Sequence, residues 1–173
     1  SKIKSIDITN IHKGISNVVF KIACDVTNPL YGNNGAAYIY GAQKGALKQD
    51  VVMLDKGLKD FSKILNAVFT TDVQAIMGAG AAGGMGIGTK LFLNGTLEPG
   101  IQLVKKIANF DNQITGADWV ITGEGKLDTQ TMSGKTIQGV ISSAKLKKIK
   151  VAAFCGTIDL EEKQLNHFGI HYA

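Results

Sequence analysis

Only two cysteines occur in 173 residues, Cys24 and Cys155, far apart and with neither a CxxC pair nor an adjacent histidine. This excludes a disulfide framework and a zinc site of ordinary spacing, and fits two buried small apolar residues in a reduced compartment. No HExxH and no GxSxG occurs, so zinc and serine hydrolase chemistry find no support. His167 and His171 are four apart with Gly169 between them and read as exposed tail residues. No stretch of 18 apolar residues is present, and the basic start is not followed by a signal-type hydrophobic segment. The expectation is therefore a soluble, cytoplasmic protein with no membrane partner. Charge is sparse at 19% of residues, with 19 Lys and Arg against 14 Asp and Glu, so attraction to small anions is weak. Lys145, Lys147, Lys148 and Lys150 lack interleaved aromatics, which reads as a solvated helix end and not a nucleic-acid surface.

What is present is 45% apolar, enough for a folded core. The opening Ser1-Lys2-Ile3-Lys4-Ser5 has no initiating Met, turn or cap, and reads as the start of a cut piece. Residues 17–26, NVVFKIACDV, read as a buried strand, and TNPLYGNNG after it as a loop able to present side chains to a ligand. Leu47, Val51, Leu54, Leu58, Phe61 and Leu65 recur at steps of three and four, predicting a helix over about 48–67 with Met53 beside its apolar stripe. Residues 77–88, MGAGAAGGMGIG, demand close backbone approach or unusual dihedrals. Pro99-Gly100 reads as a helix start with Ile101, Val104, Ile107 and Ala108 on one face. From 117 the rhythm becomes strand, loop, helix, strand: ADWVIT, GEGKLDTQTMS, GKTIQGVISSAKLKK, KVAAFCG. That is a βαβ pattern and implies a parallel sheet, and the change of rhythm sets a boundary between 109 and 117.

Chemistry concentrates after the first of these strands. Gly123 and Gly125 allow a ligand to approach the backbone, and Glu124 and Asp128 are candidates for holding a cation, magnesium by preference, or for accepting a proton. A solvated acidic loop is the competing reading. Thr129, Thr131, Ser133, Gly134 and Lys135 precede a helix whose unpaired amides suit an anion. The Walker pattern fails, because Thr129 stands where its first glycine is required. Gly78, Gly80 and Gly83 meet the bare GxGxxG spacing, but no good strand precedes them and Glu98 lies before Pro99 without a clear second strand. Packing or a glycine-lined pocket is the better reading.

Three blocks, DVTNPLYGNNGAAYIYGAQKGA, GAGAAGGMGIG and ADWVITGEGKLDTQTMSGK, resemble successive blocks of the bacterial glycerate kinase family of the ATP-dependent, non-P-loop type. The resemblance implies an α/β protein, part of a two-domain glycerate kinase-like fold: a Rossmann-like parallel-sheet unit plus part of a smaller inserted α/β domain. Residues 1–112 would be the latter part of the inserted domain and 113–173 the C-terminal part of the Rossmann-like one. It implies transfer of the ATP γ-phosphoryl group to a hydroxyl of D-glycerate, with ATP and Mg2+ as cofactors. Asp25 and Asn28 would orient substrate, Asp25 with a proton-accepting role. Asp128 would serve catalysis and, with Glu124, the metal. Lys44 and Lys135, with Gly78, Gly80, Gly83, Gly123 and Gly125, would stand on the ATP side. A solvent-facing turn lysine is the competing reading of Lys44. The family's DSFKGS-like opening loop is not in this chain, so the implied partner is the missing N-terminal half of the same protein, and the isolated chain is expected to be weak or inactive. An oligomer stays open. A non-catalytic or regulatory α/β domain is the alternative.

Overall fold

A computed structural model describes residues 2–129 and 135–173, with the side chain of Lys135 excepted. Two compact units form, Ser1–Glu98 and Pro99–Ala173.

In the first unit, strand β1 (Lys21–Ala23) pairs in parallel with β2 (Thr96–Glu98). Helices α1 (Ala36–Tyr40), α2 (Lys48–Phe69) and α3 (Met85–Phe92) lie between them in sequence. The apolar stripe does produce α2. Asp50 Oδ2 accepts from the Leu47 amide at 3.0 Å and closes its first turn. Leu65 is wholly buried, and Leu58 and Phe61 pack against a core of Leu30, Leu65, Val73, Ala79 and Ile87. Each fully buried Leu or Ile stabilises this unit by about 1.5–3 kcal/mol.

The long buried strand expected over 17–26 shrinks to three residues. Val18 and Val19 are 52% and 81% exposed, because β1 has one ladder partner among the described residues and nothing covers its beginning. The expected absence of a strand near Glu98 is also corrected, since Glu98 closes β2 and reaches Lys21 at 3.7 Å. Thr96–Glu98 is too short for its alternation to register in sequence.

In the second unit, β3 (Trp119–Leu127) and β4 (Lys150–Ile158) run parallel around helix α6 (Lys135–Leu146), following α4 (Gly100–Ile107) and α5 (Phe110–Gln113) and preceding α7 (Glu162–Phe168). This is the expected βαβ pattern. Ile137, Ile141 and Ala144 of α6 share a core with Val120, Leu127, Val151 and Ala153. The division into units falls ahead of the expected boundary because α4 packs on α6. A β-carbon on Gly139 would overlap Ile101, and Lys105 Nζ donates to the Gly139 carbonyl at 3.2 Å. Val104 and Ile107, expected on the same apolar face, are 61% and 77% exposed.

The expected loop at 123–127 is strand. Gly123 pairs with Phe154, and pairing continues to Leu127 opposite Ile158. Val120 and Leu127, near the two ends of this strand, are both buried in the core of the unit, while the stretch from Gly123 to Lys126 between them is exposed. The lysines at 145, 147, 148 and 150 are exposed around the end of α6, as the sequence implies.

Candidate active site

The first unit holds one set of candidates. The loop after β1 is pinned on several sides: Gly32 N donates to Asp55 Oδ1 of α2 at 2.7 Å, and Gln74 Nε2 donates to the Tyr31 carbonyl at 2.8 Å. Within it, Tyr40 Oη donates to Asn28 Oδ1 at 2.6 Å while Asn28 Nδ2 donates to the Asn34 carbonyl at 2.9 Å. Both ends of the Asn28 amide are thus engaged, leaving it one N–H and one lone pair for a ligand. Asp25 is exposed at the start of the same loop.

The glycine run is built against this loop. Gly80 N donates to the Asn28 carbonyl at 3.0 Å, and a β-carbon on Gly80 would overlap the Pro29 carbonyl oxygen. Gly78, with φ of 81°, faces Cys24 Sγ and the Val26 carbonyl so closely that a β-carbon would stand 3.0 and 3.1 Å from them. Ala82, Gly83 and Gly84 all take positive φ. The run therefore does two jobs: Gly78 and Gly80 are buried packing positions, whereas Gly83 is exposed.

Gly83 shares an open cavity of about 980 Å³ with Lys44, Tyr40, Val26, Met53 and Phe61. Met53, expected to belong to the core, is 64% exposed on the cavity wall. Lys44 is exposed in a short 3-10 turn ending at Gly45. No acidic side chain is among the lining residues, so an anionic ligand meets no like charge there.

The second unit holds the other set at the carboxyl ends of β3 and β4. Lys126 Nζ lies 2.6 Å from Asp159 Oδ2 and 3.6 Å from Asp128 Oδ2. Its pKa is raised, chiefly by the hydrogen bond it donates to Asp159 and then by that carboxylate's charge. Glu124 is exposed and accepts from the Gly125 amide at 3.1 Å. Glu124 lies within β3, whereas Asp128 follows its last residue and shares Lys126 with Asp159.

Two carboxylates around one ammonium leave a local charge of minus one, which suits a magnesium ion that takes most of its ligands from water and phosphate. No cluster of three acidic, His or Cys groups gathers among the described residues. Thr131, Ser133 and Gly134 lie outside the described residues, and so does the side chain of Lys135. A separate hollow of about 360 Å³ sits near the start of β4, among Ile141, Lys148, Ile149 and His171, and no candidate residue lines it.

Sequence reasoning missed Tyr40, Lys126 and Asp159. The signal for Asp159 was available, since it follows β4 as Asp128 follows β3. That for Tyr40 was not, because only the fold of the loop brings it to Asn28.

The family model for the glycerate kinase family matches residues 1–173. The chain belongs to the glycerate kinase family. Relatives include the glycerate kinase of Halalkalibacterium halodurans, 42% identical over 97% of this chain and 44% of its own length. The glycerate 2-kinase of Escherichia coli K12 is 38% identical over the same shares. A crystal structure from Salmonella typhimurium LT2, described as a glycerate kinase 2, aligns with a TM-score of 0.79 and 33% identity, covering 96% of this chain and 49% of that one. This glycerate kinase family chain thus spans less than half the length of the curated relatives it matches. No helix among the described residues is long and apolar enough to cross a membrane.

Proposed function

We propose that this chain supplies part of a kinase that transfers the γ-phosphoryl group of ATP to a hydroxyl of D-glycerate, the remainder coming from sequence outside the span matched in its relatives. Family membership across all 173 residues carries the reading. The chain contains no arginine, so its side-chain cations for phosphate and carboxylate groups are lysines, assisted by backbone amides. Lys44, which lines the cavity together with Lys2, and Lys126 at the strand ends are described lysines placed for this, and Lys135 opens helix α6.

In the proposed reaction the substrate hydroxyl oxygen bonds to the γ-phosphorus as the bond to the ADP oxygen breaks, and Asp25 takes the hydroxyl proton. Asn28 orients glycerate with its remaining amide hydrogen and lone pair. Asp128, with Asp159 beside it, faces the phosphates and is the carboxylate that would hold magnesium. Magnesium, when bound, neutralises charge on the phosphate oxygens. Lys126 is kept protonated by its two carboxylates and holds a phosphate oxygen in place. Gly123 and Gly125 leave the strand surface open to the nucleotide.

The test is ADP release by the full-length protein with ATP, magnesium and D-glycerate, compared with other small hydroxy acids. Turnover selective for glycerate is expected. Its absence in a folded full-length protein would favour a non-catalytic role.

A further inference from the structure

The lysines around the end of α6 are not equivalent. Lys147 Nζ donates to the Thr115 hydroxyl at 2.9 Å, and Lys150 Nζ lies 5.3 Å from the centre of the Trp119 ring. The ammonium groups of Lys145 and Lys148 have no partner among the described residues, and these are the two that line the hollow of about 360 Å³ near the start of β4. A solvated helix end would not sort its charges in this way.

The hollow has an apolar floor and a polar rim. Ile141, Ile149, Val151 and Ile170 make the floor and are buried in the core of the unit. Lys145, Lys148, Asn166 and His171 make the rim and are exposed. Gly169 keeps the space open, since a β-carbon there would stand 3.1 Å from Ile141 Cγ2 and 3.9 Å from Lys145 Cε. His171 Nδ1 accepts from the Val151 amide at 3.2 Å, which leaves Nε2 as the N–H donor of the neutral ring. No carboxylate lines the hollow, and Glu161 and Glu162 of the bordering segment stand about a turn before Asn166, outside the lining.

Two unpaired ammonium groups, an amide and an imidazole N–H around one hollow form a donor set that suits a compact dianion. A phosphate monoester carries nearly two negative charges at neutral pH. The floor adds an apolar surface for a short carbon chain, and the volume falls at the small end of ligand pockets, about 300–1,000 Å³, with no room for a nucleotide.

We propose that this hollow is a second ligand site, which binds the phosphate monoester of a short carbon chain with its head between Lys145 and Lys148 and its chain over Ile149 and Ile170. It lies at the start of β4, whereas Asp159 of the candidate active site follows the end of the same strand. The site does not rest on the reaction proposed above, and its test does not read turnover.

The test uses the full-length protein with glycerol 3-phosphate as the probe, at fixed ionic strength. Acetylation by an amine-reactive ester, read lysine by lysine by mass spectrometry, should slow about fivefold at Lys145 and Lys148 when the probe is at about four times its Kd. Exposed Lys56 of α2 should keep its rate. Uniform slowing, or none, would overturn the proposal.

The double variant K145Q/K148Q changes exposed side chains only and therefore folds. With 13C-labelled histidine, the His171 resonance should move on titration, and the variant should raise the Kd read from it about tenfold or more. An unchanged Kd would sink the assignment of the two lysines. Inorganic phosphate should bind more weakly than the ester, and glycerol should not move the resonance. Phosphate binding as tightly as the ester would remove the role of the floor, and tighter binding of ATP would contradict the size limit; either result overturns the proposal.

Discussion

Gly80→Ala isolates the physical requirement behind the glycine run. Gly80 has φ of −79° and ψ of −5°, which alanine adopts freely, so backbone conformation is not the obstacle. The obstacle is space: the new methyl would overlap the Pro29 carbonyl oxygen and stand 3.2 Å from that of Asn28. Overpacking of this kind costs about 1–3 kcal/mol. Moving the loop away also weakens the Gly80 to Asn28 hydrogen bond, 3.0 Å long, by a further ~0.5–1.5 kcal/mol. Loss of unfolded-chain entropy returns about 0.4–1 kcal/mol. The net is about 2 kcal/mol of destabilisation, or about 10 °C in Tm for a unit of this size. Gly88→Ala is the control, since nothing lies within 4 Å and the site is inside α3. It should stabilise by about 0.5–1 kcal/mol. Far-UV circular dichroism reports on the helices of both units, whereas fluorescence of the single tryptophan, Trp119, reports on the second alone, so a transition seen only by circular dichroism belongs to the first. G80A should lower the first transition and leave the second in place. A G80A protein as stable as wild type would refute the close-approach reading of the run.

In the full-length enzyme, Asp128→Asn keeps side-chain size but removes a carboxylate from the strand ends. It should lower kcat about 100-fold across magnesium concentrations with little change in glycerate affinity. Near-wild-type transfer would reject the metal role. Tyr40→Phe removes the donor to Asn28 and keeps the ring. Glycerate KM should rise by up to about tenfold with kcat less affected, as steady-state kinetics would show. The Asp111 carboxyl lies below its ordinary value of 3.8, chiefly through the Ser143 hydroxyl and then the charge of Lys105. Its contribution to stability is therefore present above that ordinary value and lost as pH falls through the lower folded value. Ser143→Ala should flatten this acid limb in urea titrations followed by Trp119. An unchanged limb would show that the Ser143 bond is not what lowers Asp111.

The local pattern alone determined α2, α6, the parallel βαβ unit and the tight backbone at 78–86, because each rests on periodicity or on residue types that leave few conformations open; the helix α3 that begins at Met85 inside the glycine run was not legible. The family was legible for the same reason: three glycine-rich and acidic blocks recur in order, and short sequence carries them whole. Burial was not legible wherever it depends on neighbours. Residues 17–26 look like a core strand, yet only Lys21–Ala23 form one, with a single ladder partner among the described residues, and Val18 and Val19 ahead of it face solvent. Gly123–Leu127 look like a loop, yet pairing with β4 draws them into the sheet, a gain the sequence of one strand cannot express. The site divides in the same way. Asp25, Asn28 and Asp128 are named by their blocks, but the Tyr40 hydroxyl on Asn28 and the convergence of Asp128 and Asp159 on Lys126 join residues from separate elements. Such contacts exist only after folding has closed the chain between them, so the tertiary structure alone decides which charges meet.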